Sequence, residues 1–446
     1  MESLHIISSL IFLGSIFLVI TGWIDSVIAA LLGIFAMILF GVMTEVQAFK
    51  FVDWNVILIL LSIWIIAGYF GKTGVPEFLA SVALRCSKGS VAIFVTSIGM
   101  LAGFISMFID NVVVVLMFAP VIFHASRRFK FQSFGPILFM GLCANFMGTA
   151  LLLGDLPPQM LHSVSGIEFM DFLWYLGRPS SFFILLISYI FTVSFFYWKF
   201  SKIYKNERMD ISAIKREERY LEHIKDKRFA IVVCGVFILT IIAMANRPLF
   251  GVHLGYIALC GALTLILIFE VFKKSFPHIE IPNFESVLSE LDWRAIFFYI
   301  SLFALVGGLE HAGVINLIAK FLTPLIKTNL LAGSSLLYWI TAPIVGIIEH
   351  DAYILTMLYV IRDLGKEAGL NPWPLYWSLL WAGTLGSNLT IAGAPALFVA
   401  KNLAEKEDKI KVGLKEFFSY SIPYVIISLI FCYIPTILIW VLPFKK

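Results

Sequence analysis

The sequence predicts an all-α polytopic membrane protein built from two inverted repeats. Hydrophobic residues make up 60% of the 446 residues and charged residues only 14%, whereas soluble domains carry about 25% charged residues. The apolar residues form blocks long enough to cross a hydrocarbon core of ~30 Å at 1.5 Å per residue. A duplicated pattern of polar and small residues links the two halves. The lipid bilayer is therefore the expected surroundings of most of the chain.

Composition and motifs argue against several other classes. The net charge of +4 does not indicate nucleic-acid binding, because the basic residues lie in short connectors, where they report topology. The five cysteines show no CxxC or metal-ligand spacing. We find no HExxH or Gly-x-Ser-x-Gly motif that would indicate an enzyme. We expect no cofactor, and we expect the first apolar segment to be retained as a helix.

The duplication is visible at a constant offset of 239 residues. The polar and small residues that match are Asp53-Trp54 with Asp292-Trp293, Ser62 with Ser301, Gly68 with Gly307, and Gly74-Val75 with Gly313-Val314. Apolar residues would match by chance in such a chain, but an Asp-Trp pair followed at equal distances by serine and glycine would not. The same offset places Asp110 opposite Glu349 and Gly154 opposite Gly393.

Each half is predicted to cross the membrane five times. Three spans, a re-entrant hairpin, one broken helix and one final span give an odd number, so the second half starts on the opposite face. We expect the first repeat over residues 1–200, a connector over 201–228 and the second repeat over 229–446. Ten Lys and Arg residues lie between Lys199 and Arg228, which places the connector in the cytoplasm and both termini outside. The expected location is the plasma membrane.

Four polar breaks interrupt the apolar segments and form two corresponding pairs. They are Asp110-Asn111, Gly148-Thr149 through Gly154-Asp155, Glu349-His350-Asp351, and Gly386-Ser387-Asn388 through Thr390 and Gly393. Unwound backbone in a membrane must be buried in protein or line a wet cavity, where helix ends offer N–H and C=O groups to ions. The breaks therefore predict a substrate and ion-coupling site at the midplane, with hairpin tips at the first and third.

Asp110 is flanked by apolar residues, and exposure to lipid would cost ~2.5 to 3.5 kcal/mol or more. The alternative to a functional role is that its carboxylate only caps the next helix. A carboxylate shielded from water holds a proton more readily, and an approaching cation displaces that proton. This competition is the physical basis of antiport.

The other ionisable groups also have structural alternatives. Glu349, His350 and Asp351 would be ordinary if they lay in a shallow loop, and His350 is more typical of a hydrogen-bonded partner than of a metal ligand. Asp155 would be a turn residue if it lay at the outer surface. Asp53 and its counterpart Asp292 precede tryptophans, and we interpret both as interfacial and structural.

The same positions resemble the ion transporter superfamily, in its branch of arsenite efflux permeases, NhaD-type sodium/proton antiporters and related citrate and silicic-acid transporters. The matching segments are Val52-Asp53-Trp54-Asn55, Phe108-Ile109-Asp110-Asn111-Val112, Gly148-Thr149 to Gly154-Asp155 with Pro157-Pro158, His350-Asp351-Ala352, and Leu385 to Thr390 with Gly393. The resemblance implies two inverted repeats of five spans, hairpin tips that meet broken helices, and a homodimer.

Departures from the family pattern narrow the function. Valines stand at 112–115, where members often have threonine, Leu156 interrupts the usual Gly-Asp-Pro-Pro, and Gln159 replaces the usual Asn. The Ser-Asn-Thr tips of sodium-coupled carboxylate transporters are absent from both hairpins. We therefore predict proton-coupled antiport or efflux of a small inorganic ion, Na⁺ or an arsenite-like oxyacid, with H⁺ or Na⁺ as coupling ion. The alternative is sodium-coupled uptake of citrate, a dicarboxylate or another anion.

Overall fold

Helices form almost all of the described chain. The computed structural model describes residues 2–205, 207, 209, 224, 226–272, 281–348, 350–409 and 411–444. The helices of the first half are α1 (Glu2–Thr21), α2 (Ser26–Leu39), α3 (Glu45–Phe51), α4 (Trp54–Gly71), α5 (Val75–Cys86), α6 (Val91–Ser106), α7 (Asn111–Phe129), α8 (Phe134–Gly148), α9 (Leu156–Ser165) and α10 (Ser181–Ile203). A 3₁₀ turn (Phe169–Phe172) and a two-stranded ribbon, β1 (Trp174–Tyr175) with β2 (Arg178–Pro179), join α9 to α10.

The second half continues the same architecture. Its helices are α11 (Lys227–Ala245), α12 (Arg247–Phe250), α13 (Leu254–Phe272), α14 (Phe284–Ser289), α15 (Trp293–His311), α16 (Val314–Thr328), α17 (Leu330–Val345), α18 (His350–Ala368), α19 (Trp373–Ser387), α20 (Pro395–Asp408) and α21 (Leu414–Pro435), followed by a π-helical turn (Thr436–Val441) and a 3₁₀ turn (Leu442–Phe444). Eight helices in the described ranges are long and apolar enough to cross a membrane. The predicted all-α polytopic class is confirmed.

Helix boundaries repeat at the offset found in the sequence. Both ends of α6, α7 and α8 recur in α17, α18 and α19 after 239 residues, and α9 and α20 begin at matching positions. The local hydrogen bonds recur as well. The indole of Trp54 donates to Phe49 O at 3.2 Å, and that of Trp293 donates to Leu288 O at 2.9 Å. These bonds, with capping carboxylates at Asp53 and Asp292, support the structural role predicted for both Asp-Trp pairs.

The corresponding helices α4 and α15 run antiparallel. At one end the ammonium group of Lys72 lies 2.5 Å from the Glu290 carboxylate, next to the start of α15. At the other end Gln47 Nε2 lies 3.3 Å from His311 Nε2, at the last residue of α15. Antiparallel packing of matched helices is what an inverted repeat requires. The orientation of the two halves across the bilayer stays a prediction.

Two wholly buried helices form the centre of the molecule. Every residue of α8 and of α19 is buried, although both helices carry polar residues near their C-terminal ends. Around them, α1, α2, α11 and α13 expose large apolar side chains on their outer faces, including Leu10, Phe35, Ile231 and Leu267. This apolar outer surface suits hydrocarbon. The protein is a multi-pass integral membrane protein.

The second limbs of the two hairpins are longer than the apolar sequence indicates. The apolar runs Val112–Ala125 and Ala352–Ile361 are too short to span, yet α7 and α18 each contain 19 residues. The helices continue because polar residues such as Arg127 and Lys366 occupy their last turns, where cations suit the helix dipole. Length alone therefore does not distinguish a re-entrant limb from a crossing one.

The predicted connector falls mostly outside the described residues. Within 201–228 the structure describes 201–205, 207, 209, 224 and 226–228. Helix α10 ends at Ile203 and α11 begins at Lys227, so both helices reach slightly into that segment. The assignment of 1–200 and 229–446 to two membrane repeats stays a prediction.

Cysteine labelling tests the predicted orientation. Lys406, at the end of α20, lies beside the ion pair of Arg127 and Glu407, on the face that the basic connector assigns to the cytoplasm. Met170 is exposed in the turn before β1, on the other face. We expect a membrane-impermeant thiol reagent added to intact cells to label Met170→Cys and not Lys406→Cys. The reverse pattern would invert both halves.

Candidate substrate and ion-coupling site

A cavity of about 760 Å³ lies where the two halves meet. Five of the predicted site residues line it, namely Asp110, Asn111, Asp155, His350 and Asp351. They come from the first hairpin tip, the break between α8 and α9, and the start of α18. Residues more than 200 positions apart in the sequence therefore share one space, as the paired polar breaks predict.

Three of the carboxylates that line the cavity, those of Asp110, Asp155 and Asp351, lie at the starts of helices. Asp110 accepts hydrogen bonds from Val112 N at 2.9 Å and Val113 N at 3.3 Å, and so caps α7. Asp155 caps α9 by accepting from Leu156 N at 2.9 Å. Asp351 lies in the first turn of α18. The capping alternative for Asp110 is thus realised, and it coexists with a position on the cavity wall.

The Asp155 carboxylate lies inside the protein and not at the outer surface. Its exposed fraction is 8%, and its Oδ2 accepts a 3.3 Å bond from the side-chain amide of Asn111. Asp110, His350 and Asp351 line the same cavity. The prediction's alternative of a surface turn at Asp155 is wrong. The residue at the corresponding position, Ala394, is also buried but has no polar side chain.

His350 and Asp351 form a buried pair at the second hairpin. His350 Nε2 lies 3.2 Å from Asp351 Oδ1, and both side chains are almost fully buried. A shallow aqueous loop at these two residues is therefore wrong. Glu349 lies outside the described residues, so its predicted role stays a prediction. Among the described residues no group of three or more His, Cys, Asp or Glu side chains is arranged to hold a metal ion.

Asn145 joins the first hairpin tip to the second half. Its Oδ1 accepts a 2.9 Å bond from Asn111 Nδ2. Its Nδ2 lies 3.0 Å from Ser387 Oγ and 3.1 Å from Asn388 Oδ1, at the end of α19. Because α8 and α19 are wholly buried, water cannot replace these partners, and each lost bond would leave a buried polar group unsatisfied.

A second pair of side chains completes the crossing of α8 and α19. The hydroxyl groups of Thr149 and Thr384 are 2.6 Å apart. The offset of 239 relates Asn145 to Thr384 and Thr149 to Asn388. The offset therefore relates the Asn145–Asn388 contact to the Thr384–Thr149 contact, so α8 and α19 meet through equivalent positions.

The remaining predicted residues lie in the two broken helices and do not line the described cavity. A Cβ atom at Gly154 would lie 2.6 Å from Gly148 O, and one at Gly393 would lie 2.2 Å from Ser387 O, so both breaks fold tightly back on the preceding helix. Gly386 packs against the backbone of α17, and Thr390 donates a 2.5 Å bond to Gly346 O. Of the last five predicted residues, Gly386, Ser387, Asn388, Thr390 and Gly393, none lines the described cavity.

Sequence reasoning missed residues that matter to this geometry. Asn145 and Thr384 lie inside apolar runs. The amide of Asn145 in the middle of the apolar segment Phe134–Gly154 could have indicated a buried polar contact. The hydroxyl of Ser106, buried near Gly148, has no hydrogen-bond partner among the described residues. At the mouth of the cavity the missed residues are Glu290 and Arg294, which line it with Asp292.

The fold and the cavity define a membrane transporter, with broken helices that meet at a shared site. The chain belongs to the CitMHS family of citrate transporters, whose profile matches residues 16–382. An uncharacterized transporter of Mycobacterium tuberculosis is 28% identical over 413 residues, which cover 90% of this chain and 91% of that protein. These matches confirm a transporter family and leave the arsenite and NhaD branch as a proposal.

Two solved structures share the fold at low sequence identity. MtrF of Neisseria gonorrhoeae, described as illuminating a class of antimetabolite efflux pumps, superposes with a TM-score of 0.58 at 15% identity, covering 91% of this chain and 84% of that one. The YdaH transporter of Alcanivorax borkumensis, described as having an unusual topology, gives a TM-score of 0.53 at 13% identity, covering 88% and 86%. Both show the architecture and not the substrate.

Asn145→Ala tests the crossing. The substitution leaves Asn111, Ser387 and Asn388 with fewer partners in a dry interior, so we expect a loss of ~1 to 3 kcal/mol in the free energy of unfolding. The measurement is thermal unfolding of the detergent-solubilised protein followed by tryptophan fluorescence. Thr192→Ala is the control, because that buried hydroxyl donates to Ser188 O in its own helix. Equal destabilisation by both would contradict a special role for Asn145.

Proposed function

We propose that this transporter exchanges protons for a small inorganic cation such as Na⁺ in the direction of efflux, using Asp110, Asp155 and Asp351. The observation that carries the proposal is the convergence of these three carboxylates on one cavity, with Asp155 and Asp351 buried and Asp110 partly buried. An arsenite-like oxyacid is the second solute within the same proposal, since hydroxyl and amide groups of the cavity wall would bind it.

The physical argument concerns neutralisation. Several carboxylates in a poorly solvated space repel one another and are costly to keep ionised unless protons or cations compensate them. The one Arg or Lys side chain on the described cavity wall is that of Arg294, at the mouth, where it pairs with Asp25. Protons and cations therefore compete for the same three groups. Because the shared site holds either protons or the cation but not both, the movement of one is coupled to the movement of the other.

Helix N-termini at the cavity partly stabilise the ionised carboxylates. The helices α7, α9, α18 and α20 all begin at the cavity, and each N-terminus carries about half a positive charge. These partial charges lower the free-energy cost of ionising the carboxylates, because Asp110 and Asp155 cap α7 and α9. They stabilise each ionised carboxylate after one proton has left and before the next proton or cation binds.

The family description supports a second candidate, sodium-coupled uptake of citrate or another carboxylate. One structural feature also favours it. Helix α20 begins at the cavity with Pro395, and its cap residue Ala394 makes no side-chain hydrogen bond. Its amide groups and Arg294 would attract an anion. An anion would still face the carboxylates of Asp110, Asp155 and Asp351, and those of Glu290 and Asp292 also line the cavity. For that reason the cation is the leading proposal.

A proteoliposome assay separates the two candidates. Purified protein is reconstituted with an internal pH indicator and an imposed pH gradient, and Na⁺, Li⁺, K⁺, Mg²⁺, arsenite and citrate are added in turn. We expect Na⁺ or Li⁺ to dissipate the gradient, since hard carboxylate oxygens suit small hard cations. If citrate alone moves, and only with a sodium gradient, the carboxylate proposal replaces ours.

Asp110→Asn and Asp155→Asn test the carriers. Asparagine keeps the cap and the shape but cannot exchange a proton, so we expect at least about a tenfold loss of proton-coupled flux, the scale of 1.4 kcal/mol or more. Asp226→Asn is the matched control, because Asp226 caps α11 through Arg228 N and Phe229 N and does not line the described cavity.

The control separates capping from transport. If the Asp226 variant loses flux as severely as the other two, loss of capping explains all three results. If Asp110→Asn or Asp155→Asn retains full coupled flux while remaining folded, that carboxylate is not a carrier.

A further inference from the structure

A second polar surface runs away from the cavity along α9. Asp155, Gln159 and His162 are spaced four and three residues apart, so they share one face of this helix. Asp155 lies in the cavity. Gln159 and His162 are buried, with exposed fractions of 1% and 7%. Polar side chains along a buried helix face are costly, and neither Gln159 nor His162 takes part in the site described above.

Gln159 is incompletely satisfied in this conformation. Its Nε2 makes a long bond of 3.4 Å to Leu153 O. Its Oε1 has no hydrogen-bond partner among the described residues. A buried amide oxygen that lacks a donor indicates either a ligand or water in another state.

The far end of the stripe is closed by contacts with α4 and α13. His162 Nδ1 donates to Ile167 O, and Asn55 Nδ2 lies 3.4 Å from His162 Nε2. The Asn55 Oδ1 atom accepts a 2.8 Å bond from Gly255 N, which fixes the orientation of the amide. The hydroxyl of Ser163 donates to the Asp53 carboxylate. These contacts hold α9 against the start of α4.

The repeat places the open part of the cavity at the matching location in the second half. At the offset of 239, Asp53, Asn55 and Gln159 correspond to Asp292, Arg294 and Phe398. All three of those counterparts line the cavity. Phe398 is 54% exposed where Gln159 is 1% exposed. The start of α4 is therefore packed against α9 in the first half, whereas the matching helices α15 and α20 are separated by the cavity in the second half.

We infer that Gln159 and His162, with Asp53 and Asn55, line a second opening of the cavity that is closed in this conformation and leads to the opposite membrane face. The inference rests on the proposed transport function. When the α9–α4 contact separates, α20 closes on α15, and Asp155 exchanges one aqueous phase for the other. Asp53, which caps α4 now, becomes the counterpart of Asp292 at a cavity mouth.

Thiol accessibility tests the inference with a matched pair of positions. In a background whose five native cysteines are replaced by alanine, Phe398→Cys should react rapidly with a hydrophilic maleimide in the resting protein, and Gln159→Cys should be protected. Adding Asn55→Ala removes the bonds to His162 and Gly255. We expect it to raise the labelling rate of Gln159→Cys about fivefold, the effect of one hydrogen bond on a two-state equilibrium, and to lower that of Phe398→Cys.

Two controls keep the test specific. Met160→Cys, on another face of α9 and fully buried, should stay protected throughout, which excludes unfolding of the helix. Ser194→Ala should leave all labelling rates unchanged, because that hydroxyl donates to Ile190 O within α10. Reciprocal changes at positions 159 and 398 support the second opening.

The outcomes distinguish this inference from the proposed function. If Gln159→Cys stays protected in the Asn55→Ala background and under an imposed solute gradient that changes labelling of Phe398→Cys, the stripe is not a pathway, although transport stands. If labelling is reciprocal but no cation dissipates a pH gradient, the pathway stands and the proposed substrate is wrong. Labelling of Met160→Cys in parallel with Gln159→Cys would overturn the inference by showing local unfolding.

Discussion

The crossing of α8 and α19 is the contact on which the rest of the structure depends. Asn145 is hydrogen-bonded to one hairpin tip through Asn111 and to the end of the opposite broken helix through Ser387 and Asn388. Both helices end at the middle of the protein because glycines let the chain fold back within van der Waals contact of the last turn. Without this buried polar crossing, four helix starts would not share one cavity.

The internal duplication accounts for the arrangement of the helices, and the positions at which the two copies differ give the cavity its unequal polar side chains. The boundaries of α6 to α8 match those of α17 to α19 to the residue. The side chains differ, because Asp155 corresponds to Ala394 and Gln159 corresponds to Phe398. A symmetric frame permits two alternate openings of equal geometry. The side chains are asymmetric, because the break between α8 and α9 contributes the Asp155 carboxylate to the cavity, whereas α20, after the matching break, contributes Pro395 and Phe398.

The sequence predicted the frame well because its signals are local and repeated. Asp-Trp pairs, glycines at matching offsets and polar breaks in apolar runs each report a backbone event that the structure contains. The polar partners of the site were harder to predict. Asn145 and Thr384 look like isolated residues in apolar helices, and only packing between halves shows that they meet partners about 240 positions away. The polar face of α9 was hidden in the same way, since Gln159 reads simply as a departure from a family pattern.

The central claim of the proposed function is that protons and a small cation compete for the same carboxylates in the cavity. Calorimetric titration of the purified protein with Na⁺ or Li⁺, repeated in two buffers of different ionisation enthalpy, counts the protons released for each cation bound. The account predicts net proton release in the wild-type protein near neutral pH and a smaller release in Asp155→Asn. Cation binding with no proton release in either buffer would contradict it.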